Sequence, residues 1–363
     1  MTTGKGAPLM AANTTTMRAQ RLDTTTRTFE VTNVPLPSPG PGEVLIKVAF
    51  SGICHSDLSL LDGTFPAMGP RVITQGHEAS GTIAELGAGV ERWHVGDRVV
   101  PAAGRPCGRC SACRRAEYGR CTALQLMAFA YDGAWAEYTV AQAQGLTLIP
   151  ENVSMEHAAI LADAVSTPFA AVAHTAKVRV GESVGVWGIG GVGTHVLQIA
   201  RLVGAAPIIA VDLDPAARQR ALDLGADFAL DPRDPDLAAH VAKVTGGRGL
   251  DAVFDAVGRQ VTFDQALGAL ANGGRLVGVG MSAEELSVGM SMMFSLSRKQ
   301  VLGHLGYDPS DIGVLARLVS TGRLDLSASI SNVVALEDIA DGISLLRDGT
   351  GSPVRILVQP NAA

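Results

Sequence analysis

Apolar and polar residues follow two different periods along this chain. Between residues 18 and 50 the apolar positions come in short runs broken by turn residues. Within them residues 43–50, EVLIKVAF, alternate with period two, as a half-buried strand does. The segment 35–42, PLPSPGPG, cannot be helical and predicts a connector ahead of that strand. This opening predicts an antiparallel, barrel-like β domain. From about Gly181 the pattern changes to alternating strand and helix. Residues 183–187 and 207–211 read as buried strands, followed by strand-like runs at 227–230, 251–254, 274–280 and 300–304. Helical stretches at 237–245 and 261–271 lie between them. Six such strands predict a doubly wound parallel sheet.

The longest weakly charged stretch, 183–211, has enough hydropathy to suggest a membrane span. Two β-branched runs flanking a cluster of glycines, with His195 and Arg201 between, predict strand, tight turn, helix and strand instead. The expected reading therefore includes no membrane. At 363 residues the length suggests two domains, and 47% apolar with 18% charged residues describes a large-cored α/β protein. A net charge of −6 without a long basic run argues against nucleic acid as a partner. Residues 1–16 are rich in Thr, Ala and Gly and lack an apolar signal-peptide core; a disordered extension is expected, with Met17 as a candidate functional start.

Four of the five cysteines fall in residues 106–121, PCGRCSACRRAEYGRC, as Cys107, Cys110, Cys113 and Cys121 with the spacing C-x2-C-x2-C-x7-C. Four thiolates on a short loop fill a tetrahedral zinc ion and leave no open position, so this lobe, 105–121, reads as a structural zinc site. The alternatives are a disulfide cluster, which suits small secreted chains, and an iron–sulfur cluster, whose usual spacings differ. Arg105, Arg109, Arg114 and Arg115 are expected to lower the thiol pKa values. With only Cys54 left over, no disulfide framework remains, and a reducing compartment, the cytoplasm, fits.

Downstream, the strand at 183–187 runs into Gly188, Gly190, Gly191, Val192 and Gly193, a G-x-G-x-x-G that opens a helix expected to reach Val203. In a Rossmann unit the first glycine makes the tight turn, the second admits the pyrophosphate and the third packs helix against strand. The helix N-terminus supplies amide donors to the phosphate. Asp212 ends the second strand nineteen residues past Gly193, where a carboxylate accepts from the adenosine ribose and repels a 2′-phosphate. NAD is expected over NADP, with Arg218 in the next helix as the one residue that argues the other way.

The cysteine lobe resembles that of the zinc-dependent medium-chain alcohol dehydrogenases, and the set Cys54, His77 and Asp163 resembles the Cys-His-Asp metal site of a bacterial secondary-alcohol branch. That resemblance implies more of the chain. Cys54, with Gly76-His77-Glu78 twenty-three residues on, resembles the family's catalytic-metal half-site, with Glu78 close to the ion. Asp163 stands where the family usually has a second cysteine; it is either the third ligand or a helix cap. Two zinc ions per chain are therefore expected. Ser56 matches the family's relay hydroxyl, and Ser59 stands where the relay often has a histidine, so either water or His55 would finish the path or reduction is the favoured direction. His55 also matches a group near the pyrophosphate, which is the role expected of it. Thr167 would touch the nicotinamide ring, and the backbone near Val257 and Val279 would hold its ribose and carboxamide. Arg355 matches a basic residue on the pyrophosphate; the alternative is a solvated surface arginine. Residues 97–100 and 133–138 are expected as strands into and out of the lobe, and His94, His157 and His174 as surface or packing histidines.

The resemblance implies a discontinuous catalytic domain (17–165 and 305–363) around a Rossmann domain (166–304). It implies metal-assisted hydride transfer between an alcohol and nicotinamide, in a homo-oligomer, either tetramer or dimer. Ala103 aligns with a position often filled by an aromatic, so a roomy pocket for bulky or secondary alcohols and ketones is expected, with Phe65, Met127 and Phe129 as walls. Two other readings stand beside this one: a zinc-independent quinone or enoyl reductase, and a non-catalytic regulatory protein that binds NAD and zinc.

Overall fold

The computed structural model describes residues 16–361. Two strands, β1 (Thr16–Asp23) and β2 (Thr28–Pro35), pair antiparallel at the start of this range. The expected extension 1–16 lies outside the described residues apart from Thr16, which begins β1. After the proline-rich connector comes β3 (Glu43–Ile53), the strand around which the first domain is assembled. Val44, Ile46 and Val48 are fully buried on one face, and Leu45 is buried on the other, because β3 is central rather than half-exposed. It is followed by the short helix α1 (His55–Asp62), then β4 (Ala79–Leu86), β5 (Arg98–Pro101), β6 (Tyr138–Gln142) and β7 (Leu146–Leu148). β4 and β6 both pair antiparallel with β3.

Residues 133–137 are not the strand expected there. Gly133, Ala134 and Trp135 instead donate their amides to Thr74, Gly76 and Gln75 O, crossing the Gly-His-Glu segment as an irregular strap. Buried Trp135 pins the strap by donating Nε1 to Gly52 O at 3.1 Å.

A helical run, Met155–Ala176, links this domain to the next. It is long and apolar enough to cross a membrane by composition, yet 72% of its most apolar window is buried against the rest of the protein. Ile160, Leu161 and Val165 join one apolar core with Val100 and Ile149 of the first domain and Val186 and Val196 of the second.

The second domain is the parallel sheet. Its strands are β8 (Val184–Trp187), β9 (Ile208–Val211), β10 (Phe228–Leu230), β11 (Leu250–Asp255), β12 (Leu270–Gly278) and β13 (Gln300–Gly303). Their order is β10-β9-β8-β11-β12-β13, with every neighbouring pair parallel, as the alternation predicted. The sequence-based boundaries hold to within a residue or two except at β12. It begins four residues early, because Leu270 pairs with Leu250 across a bulge and takes residues 270 and 271 out of the expected helix. The segment 183–211 is strand, turn, helix α2 (Gly191–Leu202) and strand, not a span.

The chain then leaves through α3 (Pro309–Ser320) and returns to the first sheet. There β14 (Ile330–Ala335) pairs with β15 (Arg355–Gln359), and β15 pairs antiparallel with the end of β3, Ile356 opposite Ile53. The first domain is thus discontinuous, and its last strand brings Arg355 beside Cys54.

Candidate active site

A cleft of about 520 Å³ separates the two sheets. Cys54, Ser56, His77 and Asp163 lie on one wall; the glycine turn, Asp212, Val257 and Val279 lie on the other. His55, Thr167 and Arg355 also reach it, whereas Glu78 is fully buried behind the wall.

Each donor is positioned by local chain geometry. Cys54 precedes α1, and its amide donates to Asp57 Oδ2 at 2.9 Å, which fixes the helix start. His77 follows Gly76, whose φ of +90° and whose position 2.4 Å from a Trp135 atom, measured to a hypothetical Cβ, admit only glycine. Asp57 Oδ1 faces His77 Nδ1 at 3.3 Å, turning Nε2 toward the cleft. Asp163 does not cap a helix. It sits inside a π-helical turn, Leu161–Val165, within the long run, where the widened turn swings its carboxylate outward.

These donors converge. Asp163 Oδ2 lies 3.6 Å from Cys54 Sγ and 3.5 Å from His77 Nε2, and one donor atom from each of Cys54, His77, Glu78 and Asp163 falls within 4.8 Å of the others. A thiolate, an imidazole and a carboxylate form an ordinary zinc donor set with a position left for substrate. Glu78 Oε1 faces the Arg355 guanidinium at 3.2 Å, while Oε2 is buried without a partner and is the oxygen left as a further donor. The residues fit the ion. Burial, the largest influence, opposes ionisation of Cys54, but the Arg355 guanidinium and the His77 imidazole together bring the thiol below its usual value. Burial also works against ionised Asp163, and hydrogen bonding and charge from His77 hold its carboxyl low in spite of it. Burial pushes the Glu78 carboxyl well up, with Arg355 pulling against it.

The second cluster is the lobe. Cys107, Cys110, Cys113 and Cys121 bring their four sulfurs within 4.8 Å of one another, with Cys107 Sγ and Cys113 Sγ 4.0 Å apart. Sulfurs on a tetrahedral zinc stand about 3.8 Å apart, so this cluster fits as well. Of the four arginines, Arg115 acts on Cys110 through charge, and two have other partners as well. Arg105 lies 3.8 Å over the Tyr131 ring and pairs with Glu43, and Arg115 pairs with Glu117. Backbone amides do the work: those of Cys113 and Thr122 bring Cys110 down to about 6, while burial pushes Cys113 up to about 12.

On the nucleotide wall, Gly188 turns the chain at φ +84°, and Gly193 packs so closely that a Cβ there would overlap Gly188 O. Asp212 Oδ2 accepts from Ile189 N at 2.5 Å, so the carboxylate is held at the mouth of the turn. Arg218 is occupied: it donates to Asp212 O and Leu213 O and pairs with Asp231 at 3.2 Å. Buried Asp255 accepts from Val257 N and Gly258 N, and its carbonyl accepts from Val279 N and Gly280 N, shaping both loops over the sheet edge.

The alternative of a solvated Arg355 fails. This residue is 2% exposed, donates to Ile53 O at 3.1 Å and lies 3.2 Å from Glu78 Oε1. A Cβ on Gly191 would stand 3.3 Å from its guanidinium, so Arg355 bridges the metal wall and the glycine turn. Among the histidines, His94 is exposed, but His174 pairs with buried Asp311 at 3.0 Å. Ser59 Oγ donates to His55 O and so turns back on its own helix.

Phe65, Met127 and Phe129 line the cleft as expected, with the two phenyl rings 5.0 Å apart. Ala103 lines the cleft, and Tyr307 reaches it from much later in the chain, its Oη accepting from Ala103 N at 3.0 Å. Sequence reasoning missed Tyr307, Tyr118, His304 and Asp57. Only Asp57 carried a signal, as an acidic residue three positions after Cys54.

Comparison with known proteins places both halves. Residues 40–151 match the family described as alcohol dehydrogenase GroES-like domain, and residues 191–321 the family described as zinc-binding dehydrogenase. The chain is 31% identical over 358 residues to an alcohol dehydrogenase of Cupriavidus necator, covering 92% of this chain and 96% of that one. A solved NAD-dependent alcohol dehydrogenase superposes with a TM-score of 0.86 at 30% identity, over 95% of this chain and 100% of that one. Acetophenone reductase from Geotrichum candidum, in complex with NAD, superposes at 0.85 with 29% identity, over 95% and 97%.

Proposed function

The chain belongs to the zinc-dependent medium-chain alcohol dehydrogenase family and is a dehydrogenase, and on that premise we propose that it interconverts bulky secondary alcohols and ketones using NAD. The observation that carries this reading is the meeting of Cys54, His77 and Asp163 on a cleft whose opposite wall is the glycine turn. A bound zinc supplies a Lewis acid for the substrate oxygen, and a bound nicotinamide supplies the hydride acceptor or donor at C4. Cys54, His77 and Asp163 would hold the ion, with Glu78 as a further donor. Asp57 keeps His77 in the tautomer whose Nε2 faces the cleft. The Ser56 hydroxyl, 3.4 Å from His77 Nε2, would accept the alcohol proton as it releases its own; His55 lies at the cofactor side. Ser59 takes no part. Phe65 and Phe129 exclude water from the reacting carbon.

Asp212 at the turn, with Arg218 already occupied, supports NAD over NADP. The second zinc belongs to the cysteine lobe, where it braces the loop that carries Tyr118 into the cleft. The hydrocarbon walls, and the likeness to a reductase of acetophenone, support a bulky ketone. A homo-oligomer is supported by the exposed Met290, Met292, Met293 and Leu296 beside the edge strand β13. A reducing cytoplasm suits the four lobe thiols. A zinc-independent reductase would have no use for the gathered donors, nor would a regulatory protein need an open metal position.

The test is a panel of alcohols and ketones, from short primary to bulky secondary and aryl, with NADH and NADPH. Turnover of the bulky ketones with NADH is expected. Absence of hydride transfer with every pair, or full activity in C54S, would overturn the reading.

A further inference from the structure

Tyr307 is a polar group on the substrate side of the cleft that the chemistry above leaves unused. The chain holds it firmly. Gly306, at φ +68°, turns the segment after β13 inward. The next residue, Asp308, donates its amide to Asp311 Oδ2 at 3.1 Å, and its Oδ1 accepts from Gly119 N of the zinc lobe at 3.0 Å. Pro309 then starts α3. The ring is fixed at its far end too, because Oη accepts from Ala103 N at 3.0 Å.

That bond uses a lone pair of the hydroxyl and leaves its proton free. No acceptor bonds it among the described residues; the cleft it lines carries Phe65, Leu124, Leu126, Phe129 and Leu305 as its hydrocarbon walls, with His77 and Asp163 as the charged groups that act on Tyr307. A donor facing an apolar cleft forfeits hydrogen bonding unless the occupant supplies an acceptor. Accepting from a backbone amide also polarises the O–H and strengthens it as a donor.

We propose that the Tyr307 hydroxyl donates to a second oxygen of the substrate, so that the preferred substrates are secondary alcohols or ketones bearing an ether, hydroxyl or carbonyl oxygen on an otherwise apolar arm. This rests on the alcohol–ketone reading and narrows its substrate class. Tyr307 acts on specificity, not on the reacting carbon.

The experiment is an oxygen scan. A long-chain methyl ketone is compared with isomers in which successive arm methylenes are replaced by an ether oxygen, and kcat/KM is measured for wild type, Y307F and Y307L. Intrinsic reactivity cancels when each isomer is referred to the all-carbon parent and the ratio is compared between enzymes. Wild type should favour one oxygen position, and that preference should fall about tenfold in both variants. An unchanged ratio, or a loss that falls equally on parent and isomers, overturns the proposal, and thermal melting separates the latter from misfolding. If wild type reduces none of these ketones, the alcohol–ketone reading itself fails and this inference goes with it. Turnover of the parent with an unaltered ratio in Y307F sinks the inference alone.

Discussion

The Arg355 guanidinium lies 3.2 Å from the Glu78 carboxylate, with both side chains almost wholly buried. β15 delivers the cation and the Gly-His-Glu segment delivers the acid, so the pair joins the two ends of the discontinuous domain behind the metal donors. Removing one partner of a buried pair leaves the other uncompensated. Arg355→Met should therefore lower unfolding free energy by about 3–5 kcal/mol, and the double variant with Glu78→Gln should recover part of it. Urea unfolding of the four proteins checks this; additive losses would show the pair uncoupled.

Metal content separates ligand from bystander. Wild type is expected to carry two zinc ions per chain and C54S only one, read by elemental analysis of the purified protein. Asp163→Ala should lose the same ion with its circular dichroism unchanged, since Asp163 lies inside a helix rather than capping one. Full occupancy in Asp163→Ala would reduce that residue to a neighbour of the site.

Acid sensitivity should trace in part to His195. This imidazole is fully buried, Nδ1 facing Gly191 O at 2.6 Å and Nε2 facing Ser329 Oγ at 2.9 Å, and burial holds its pKa down to about 4. Folded His195 stays neutral while the unfolded imidazole takes up a proton below about 6.5, so this stability is present above pH 6.5 and is lost as pH falls toward 4. Its share between pH 7.5 and 5.5 is about 1.4 kcal/mol. His195→Gln should lack that increment, measured as the wild-type minus variant difference in urea unfolding at the two pH values. Equal pH slopes would contradict it.

Cofactor choice should turn on Asp212. Asp212→Ala removes the acceptor that holds Ile189 N and the charge that repels a 2′-phosphate. Its kcat/KM with NAD should fall and the NAD to NADP ratio should drop by about tenfold or more. Because Arg218 is tied to Asp231, the gain with NADP should stay small. A wild type that already prefers NADP would refute the assignment.

What the amino-acid order settled by itself was local. Period-two and strand–helix alternation fix elements through side-chain burial over a few residues, so the parallel sheet could be read with most of its boundaries. The cysteine lobe and the glycine turn could be read because their chemistry needs residues close in sequence. Cys54, His77 and Asp163 were identified by resemblance, since nothing local says that residues so far apart meet.

Tertiary structure decided the rest. The path of 133–137 as a strap, the early start of β12 and the burial of Arg355 depend on which surface each segment meets. Tyr307 shows this most clearly: nothing near Ala103 in the sequence announces the hydroxyl, 204 residues away, that docks on its amide. An absent side chain has meaning only against the neighbours that packing brings to it, and contacts between distant segments leave no periodic trace in a single sequence.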